Sequence, residues 1–228
     1  MEKIAAILIA AHFIADFVLQ TDGMVRNKRQ PGILAVHTAI HALTTWLLLQ
    51  SWQCWQVPLS VFILHAVIDL IKQRYSKETV TTFIVDQSAH LVSLILLARL
   101  LGDFDIIKTF TGSGYQQIIA FAGFITTVRG SGFLIAIITR ELIRKNNLTL
   151  QGLQNGGQLI GQLERGLIFL FFLTGQPESI GFLVAAKSIL RFEESKKQKQ
   201  AEYILIGTLL SFSTAIALSS VTLWAMRL

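Results

Sequence analysis

Eight side chains able to hold a metal ion recur as four pairs in the first ninety residues: His12 and Asp16, His37 and His41, His65 and Asp69, Asp86 and His90. Each pair is spaced i, i+4, which on an α-helix puts both side chains on one face. All five histidines of the protein belong to this set. Imidazole and carboxylate ligands without sulfur suit zinc, iron, manganese or nickel, with zinc favoured over iron and manganese. Cys54 is the only cysteine, which excludes an internal disulfide and a Cys-based zinc site. Five His and three Asp give capacity for two ions, as in four-helix bundles whose ligands project inward. Such a site lowers the pKa of bound water and polarises a carbonyl or phosphoryl oxygen, the requirements of hydrolysis. Asp16, Asp69 and Asp86 are then the candidate catalytic carboxylates, one of them left uncoordinated as general base.

The elements that must position these pairs are membrane helices. The sequence is 52% hydrophobic and 15% charged, whereas soluble domains carry about 25% charged residues. Apolar stretches near the length that crosses about 30 Å of hydrocarbon recur along the chain. Helices are expected at about 2–20, 33–50, 57–73, 80–101, 116–139, 158–174, 178–192 and 202–226. The fold class is therefore all-α, a polytopic transmembrane helix bundle of about seven to eight membrane segments. Residues 1–104 form a half carrying the His/Asp cluster, and 105–228 a second half with Arg, Lys and Glu in its helices. The first stretch is read as a retained helix, not a signal peptide. Gly175-Gln176-Pro177 is a turn signal that makes the sixth and seventh segments a hairpin or a re-entrant pair.

Charge placement sets the orientation. Arg26, Lys28, Arg29, Lys72, Arg74, Lys77, Arg140, Arg144, Lys145, Arg191, Lys196, Lys197 and Lys199 collect on one side of an eight-segment scheme, against Lys3, Arg99, Lys108 and Arg227 on the other. Because Lys and Arg are enriched in cytoplasmic loops, thirteen against four places the basic loops in the cytoplasm and both termini outside. Anionic headgroups then account for the net charge of +6, and no nucleic-acid-binding signature is present. In this scheme every His/Asp pair lies roughly 6–15 Å from the cytoplasmic end of its helix, at 1.5 Å per residue. Four antiparallel helices bring eight side chains to one level. Carboxylates in hydrocarbon are costly unless paired, and a divalent cation compensates them; the alternative is a metal-free proton relay or structural polar core.

The second half has its own buried-charge candidates. Arg165, Lys187 and Arg191 are potential substrate-binding groups for a phosphate or carboxylate, while Glu164 and Glu202 offer the same cations a structural ion-pair network. Arg129, followed by Gly130 and Gly132, either faces the bundle interior or marks a broken helix. Gly152, Gly156, Gly157 and Gly161 suggest close helix packing.

The runs HFIADFVLQTDGM, HTAIH, HAVIDLIK and DQSAH resemble the bacterial membrane family catalogued as domain of unknown function 3307. GLQNGGQLIGQLERGLI, IGFLVAAKSILRF and AEYILIGTLLSF extend that resemblance into the second half. It implies a bacterial inner-membrane protein and no particular reaction. The paired His and Asp in membrane helices also have a looser likeness to membrane-bound metal-dependent hydrolases, from which no catalytic residue is carried over. The leading expectation is an integral membrane metalloprotein, a metal-dependent hydrolase whose partners are the lipid bilayer and a lipid or phosphorylated small-molecule substrate reached from the cytoplasm. A divalent cation or proton transporter and a metal-stabilised membrane scaffold or sensor are the competing readings.

Overall fold

The computed structural model describes residues 1–74, 79–104, 106–107, 110, 112–147, 155–191 and 198–228, with only the backbone at 190 and 191. Lys77, Lys108, Gly152, Lys196, Lys197 and the side chain of Arg191 lie outside the described residues. The described residues are helical and turn structure without strands. In order they are α1 (Glu2–Ile14), α2 (Asp22–Asn27), α3 (Pro31–Leu49), α4 (Gln56–Arg74), α5 (Val80–Asp103), α6 (Tyr115–Ile125), α7 (Ser131–Asn146), α8 (Gly156–Leu173), α9 (Ser179–Arg191) and α10 (Gln198–Met226).

Local chemistry explains several boundaries. The Thr21 hydroxyl accepts from the Met24 amide at 3.3 Å and starts α2, a short helix that the hydropathy pattern does not predict. Pro31 opens α3, where its missing N–H costs nothing. Gln50 closes the same helix in the left-handed region at φ 54°. Thr79 and Thr82 form a reciprocal capping box ahead of α5.

Two helices widen locally into π turns. Ala15–Leu19 continues α1, with the Gln20 amide bonded to the Ala15 carbonyl at 2.9 Å. Thr126–Gly130 joins α6 to α7, so that Tyr115–Asn146 is one continuous helix. Arg129 lies on this π turn and is exposed. It therefore marks an irregular helix and does not face the interior.

Five of the described helices are long and apolar enough to cross a membrane: Pro31–Leu49, Gln56–Arg74, Val80–Asp103, Tyr115–Asn146 and Gln198–Met226. By contrast α9, at 13 residues, is about 20 Å long and falls short of the ~30 Å hydrocarbon layer. The surface is organised as lipid-facing helices require. On α4, Ile63, Val67, Leu70 and Ile71 are exposed while His65 and Asp69 are buried. A water-soluble helix reverses that pattern.

The chain divides into two compact units, Met1–Ile125 with Trp224–Leu228, and Thr126–Leu223. In the first unit α1 packs against α3 and α5, and α4 packs against α3 and α5. One level of this four-helix arrangement is apolar: Ile4, Ile7 and Leu8 from the start of α1, Leu49 from the end of α3, Val57 and Val61 from the start of α4, and Leu94, Leu97 and Leu101 from the end of α5. That list fixes the antiparallel order of the helices. It also leaves the four His/Asp pairs together at the adjoining level. In the second unit α8 and α9 form a helical hairpin, and Gly175, at φ +71°, supplies a conformation that side chains with a Cβ resist. Ile168, Ile180, Phe212 and Ala215 pack beside it.

Candidate metal centre

Tight clustering of the histidines follows from helix packing at that level. The His41 and His65 ring centroids are 3.9 Å apart, those of His65 and His90 4.5 Å, and those of His37 and His41 4.6 Å. All five histidines are at most 3% exposed, as is Asp69. Asp16 is the most accessible of the three carboxylates, with 12% of its side chain exposed.

Hydrogen bonds fix which ring nitrogens are free. The Nδ1 of His65 lies 3.2 Å from the Val61 carbonyl and that of His90 2.9 Å from the Asp86 carbonyl. A carbonyl only accepts, so each Nδ1 carries the proton and each Nε2 is left with a lone pair. His41 Nε2 donates to Asp16 Oδ1 at 3.1 Å, which leaves His41 Nδ1 as the lone-pair atom. That atom is buried and has no hydrogen-bond partner.

His12 completes this set. Its Nδ1 is 3.0 Å from His65 Nε2, and its Nε2 faces two acceptors, Gln87 Oε1 at 3.4 Å and Asp16 Oδ2 at 3.6 Å. If His12 is neutral and donates through Nδ1 to His65, its Nε2 lone pair opposes those oxygens. A cation between His12 Nδ1 and His65 Nε2 removes the conflict, because the His12 proton then sits on Nε2 and is donated to the oxygens. The 3.0 Å separation is close to the ~3.3 Å edge of a tetrahedron with metal–nitrogen distances of about 2.0–2.1 Å. One ligand atom from each of His12, His41 and His65 falls within a 4.8 Å group. Each of these rings has its other nitrogen held by a carbonyl or carboxylate, as metal-binding histidines do.

Asp69, Asp86 and His90 form a second group within the same limit. Asp69 Oδ2 and Asp86 Oδ1 are buried without hydrogen-bond partners, although His37 Nε2 is 3.4 Å from the former. Asp16, His37 and His41 form a third. His37 links this third group to the second, since its Nε2 lies 3.7 Å from Asp16 Oδ1 and 3.4 Å from Asp69 Oδ2, and its Nδ1 is 3.4 Å from the Gln20 side-chain amide. The π turn at Ala15–Leu19 contains Asp16 and precedes Gln20. Such turns recur where a helix re-aims a functional side chain.

Four residues of the cluster escape a search for His and Asp. Lys28 Nζ donates to Asp69 Oδ1 at 2.8 Å and Lys72 Nζ to Asp86 Oδ2 at 2.6 Å. Gln87 Nε2 donates to Asp16 Oδ2 at 3.2 Å, and Gln20 reaches His37 as described. The sequence held a local signal for Gln20, four residues after Asp16, but none for Lys28, Lys72 or Gln87, whose partners in these bonds lie on other helices.

The basic side chains of the second half belong to the second unit. Arg165 is buried and donates from Nε and Nη2 to the Val128 carbonyl at 3.2 and 2.8 Å, and from Nη1 to Ser211 Oγ at 3.2 Å. The acceptor lies on the π turn, where the backbone bonding pattern shifts. A Cβ on Gly132 or Gly161 would come within 2.8 or 2.9 Å of the guanidinium, so both glycines make room for this side chain. Lys187 pairs with Glu164 at 2.7 Å and lies over the Phe212 ring. Glu202 accepts from Gln198 and is exposed.

Comparison with known proteins gives one match. A family model described as protein of unknown function (DUF3307) covers residues 4–113, so the motifs noted beyond residue 150 fall outside the matched range. No curated protein and no solved structure matches the chain, and the looser likeness to metal-dependent hydrolases gains no support. Residues 4–113, which match the model of the family described as protein of unknown function (DUF3307), include all eight His and Asp residues and both lysines of the cluster.

Proposed function

We propose that the cluster binds one or two divalent metal ions, zinc before iron or manganese, and that the protein is a metal-dependent hydrolase of the bacterial inner membrane. Its substrate is lipid-associated or phosphorylated and is reached from the cytoplasmic side. Seven to eight membrane segments, cytoplasmic basic loops and outside termini complete this reading. The observation that carries it is that His12, His41 and His65 each bring one ligand atom into a group spanning no more than 4.8 Å, while His41 Nε2 and His65 Nδ1 are held by Asp16 and the Val61 carbonyl. Three histidines with an open fourth position are the pattern of a catalytic zinc site, where the metal supplies an activated water and a Lewis acid.

The chain's own residues supply the rest. Asp16 orients His41 and His12, and as the most exposed carboxylate it is the group placed to accept a proton from water at the site. Asp69 Oδ2 and Asp86 Oδ1, in the second group, are buried without a hydrogen-bond partner among the described residues. Access from one side favours hydrolysis over transport: beyond the cluster, the buried side chains of α1, α3, α4 and α5 are apolar apart from Thr44 and Thr45. One observation favours the alternative of a structural polar core, namely that Lys28 and Lys72 compensate two carboxylates by themselves.

The test is turnover by the full chain in detergent or nanodiscs, stripped with chelator and reloaded with zinc, manganese or iron, against phospholipids and lipid phosphates. Metal-restored product release is expected. Metal-replete protein without turnover points to a scaffold or sensor, and metal movement across sealed vesicles points to a transporter; either outcome contradicts the hydrolase reading.

A further inference from the structure

We infer that Lys28 and Lys72 form an anion-binding pair at the rim of the cluster, and that the group they receive is a phosphoryl group. This rests on the metalloprotein reading above and names the substrate class for that site. Both ammonium groups reach the second metal group from its periphery, Lys28 from the turn after α2 and Lys72 from the last turns of α4. The side chains of Lys28 and Lys72 are 21% and 41% exposed, whereas those of Asp69 and Asp86 are 1% and 5% exposed. Each lysine therefore stands between a buried carboxylate and the outside.

Donor counting leaves room for a ligand. An ammonium has three N–H donors, and the hydrogen bond of each lysine here goes to one carboxylate oxygen, Asp69 Oδ1 or Asp86 Oδ2. The other oxygen of each carboxylate is buried without a hydrogen-bond partner among the described residues, with His37 Nε2 3.4 Å from Asp69 Oδ2 and His90 Nδ1 3.8 Å from Asp86 Oδ1. The carboxylates thus present one oxygen inward to a cation and one outward to a lysine, and the lysines keep donors for a further acceptor. The Lys28 backbone is held in place, since its carbonyl accepts from the Gln73 side chain at 3.1 Å.

Charge decides the ligand's sign. With neutral histidines, three carboxylates and two ammonium groups sum to −1, and each divalent ion adds +2. A metal-loaded site is cationic and attracts an anion, and two ammonium groups beside two metal-facing carboxylates suit an oxyanion with several acceptors, as a phosphoryl group has. Inorganic phosphate and a phospholipid headgroup share this chemistry.

The experiment uses the full chain in detergent, loaded with Mn²⁺, with metal content measured by mass spectrometry and binding followed by ³¹P line broadening. The probes are inorganic phosphate and a short-chain phosphatidic acid. Lys28→Gln and Lys72→Gln are each expected to keep the metal and to bind the probe about tenfold more weakly, the loss of one charge-assisted hydrogen bond, with Lys28→Arg close to the parent. Broadening by inorganic phosphate marks a free-phosphate site, and broadening by the phosphatidic acid alone marks a headgroup site; both support the pair. Unchanged probe binding in metal-replete Gln variants overturns it, as does loss of the metal itself, which would make the lysines structural. A parent that takes up no metal overturns the metalloprotein reading, a result separate from either of these.

Discussion

Asp16→Asn is expected to weaken metal affinity by about 10–100-fold, the usual cost of removing a carboxylate that orients ligating histidines, while leaving full occupancy attainable at high metal concentration. Asp16 accepts from His41 Nε2 at 3.1 Å and so sets the tautomer of that ring, and its other oxygen lies 3.6 Å from His12 Nε2. It is also the one cluster carboxylate without a lysine contact among the described residues. The asparagine keeps the shape, loses the charge, and offers one acceptor where the carboxylate offers two. Zinc competition against a chromophoric chelator measures the effect. Unchanged affinity would move the metal to the group of Asp69, Asp86 and His90 and remove Asp16 from the account.

The second large effect concerns stability. Glu164 and Lys187 make a 2.7 Å ion pair with side chains only 9% and 15% exposed. Lys187→Met leaves the carboxylate buried and unpaired, and a cost of about 3 kcal/mol is expected, toward the low end for a broken buried pair. Glu164→Leu combined with Lys187→Met should recover most of it, because both charges then leave together. Unfolding in mixed micelles of the two single variants and the double variant gives the coupling energy. A single Lys187→Met variant as stable as the parent would show that the pair contributes nothing. The double variant also tests the anion-binding role expected of Lys187: if folded, it should retain metal and phosphate binding when Lys28 and Lys72 are the residues that matter.

The sequence made the ligands legible because helix periodicity is local. The i, i+4 spacing of His and Asp is visible without any tertiary knowledge, and antiparallel order then requires the pairs to meet at one level. Each of the eight expected segments contains a helix among its described residues, since long apolar runs specify helices irrespective of what packs beside them. In the sequence, Lys28 and Lys72 stand out only as orientation signals in basic loops. Where a long, flexible side chain turns is decided by its neighbours, and nothing local distinguishes a lysine that faces headgroups from one that reaches a buried carboxylate.

Backbone irregularity was equally hidden. The π turns at Ala15–Leu19 and Thr126–Gly130 break no hydropathy pattern. Arg129, beside Gly130 and Gly132, did mark the second one. The side chain that serves that turn is nevertheless Arg165, thirty-seven residues away from its acceptor Val128. Gly161, which the spacing assigns to close helix packing, also leaves room for the Arg165 guanidinium four residues along its own helix.

Metal content tests the central claim most directly. The full chain, purified in detergent and exposed to zinc, would be compared by mass spectrometry with a His41→Ala/His65→Ala variant whose fold is checked by circular dichroism. One or two equivalents of metal are expected in the parent, and the loss of at least one from the folded variant, because both residues offer a ligand atom to the same group. No stoichiometric metal in the parent after reloading with zinc, manganese or iron would contradict that claim and leave a polar core held together by Lys28, Lys72 and the histidines.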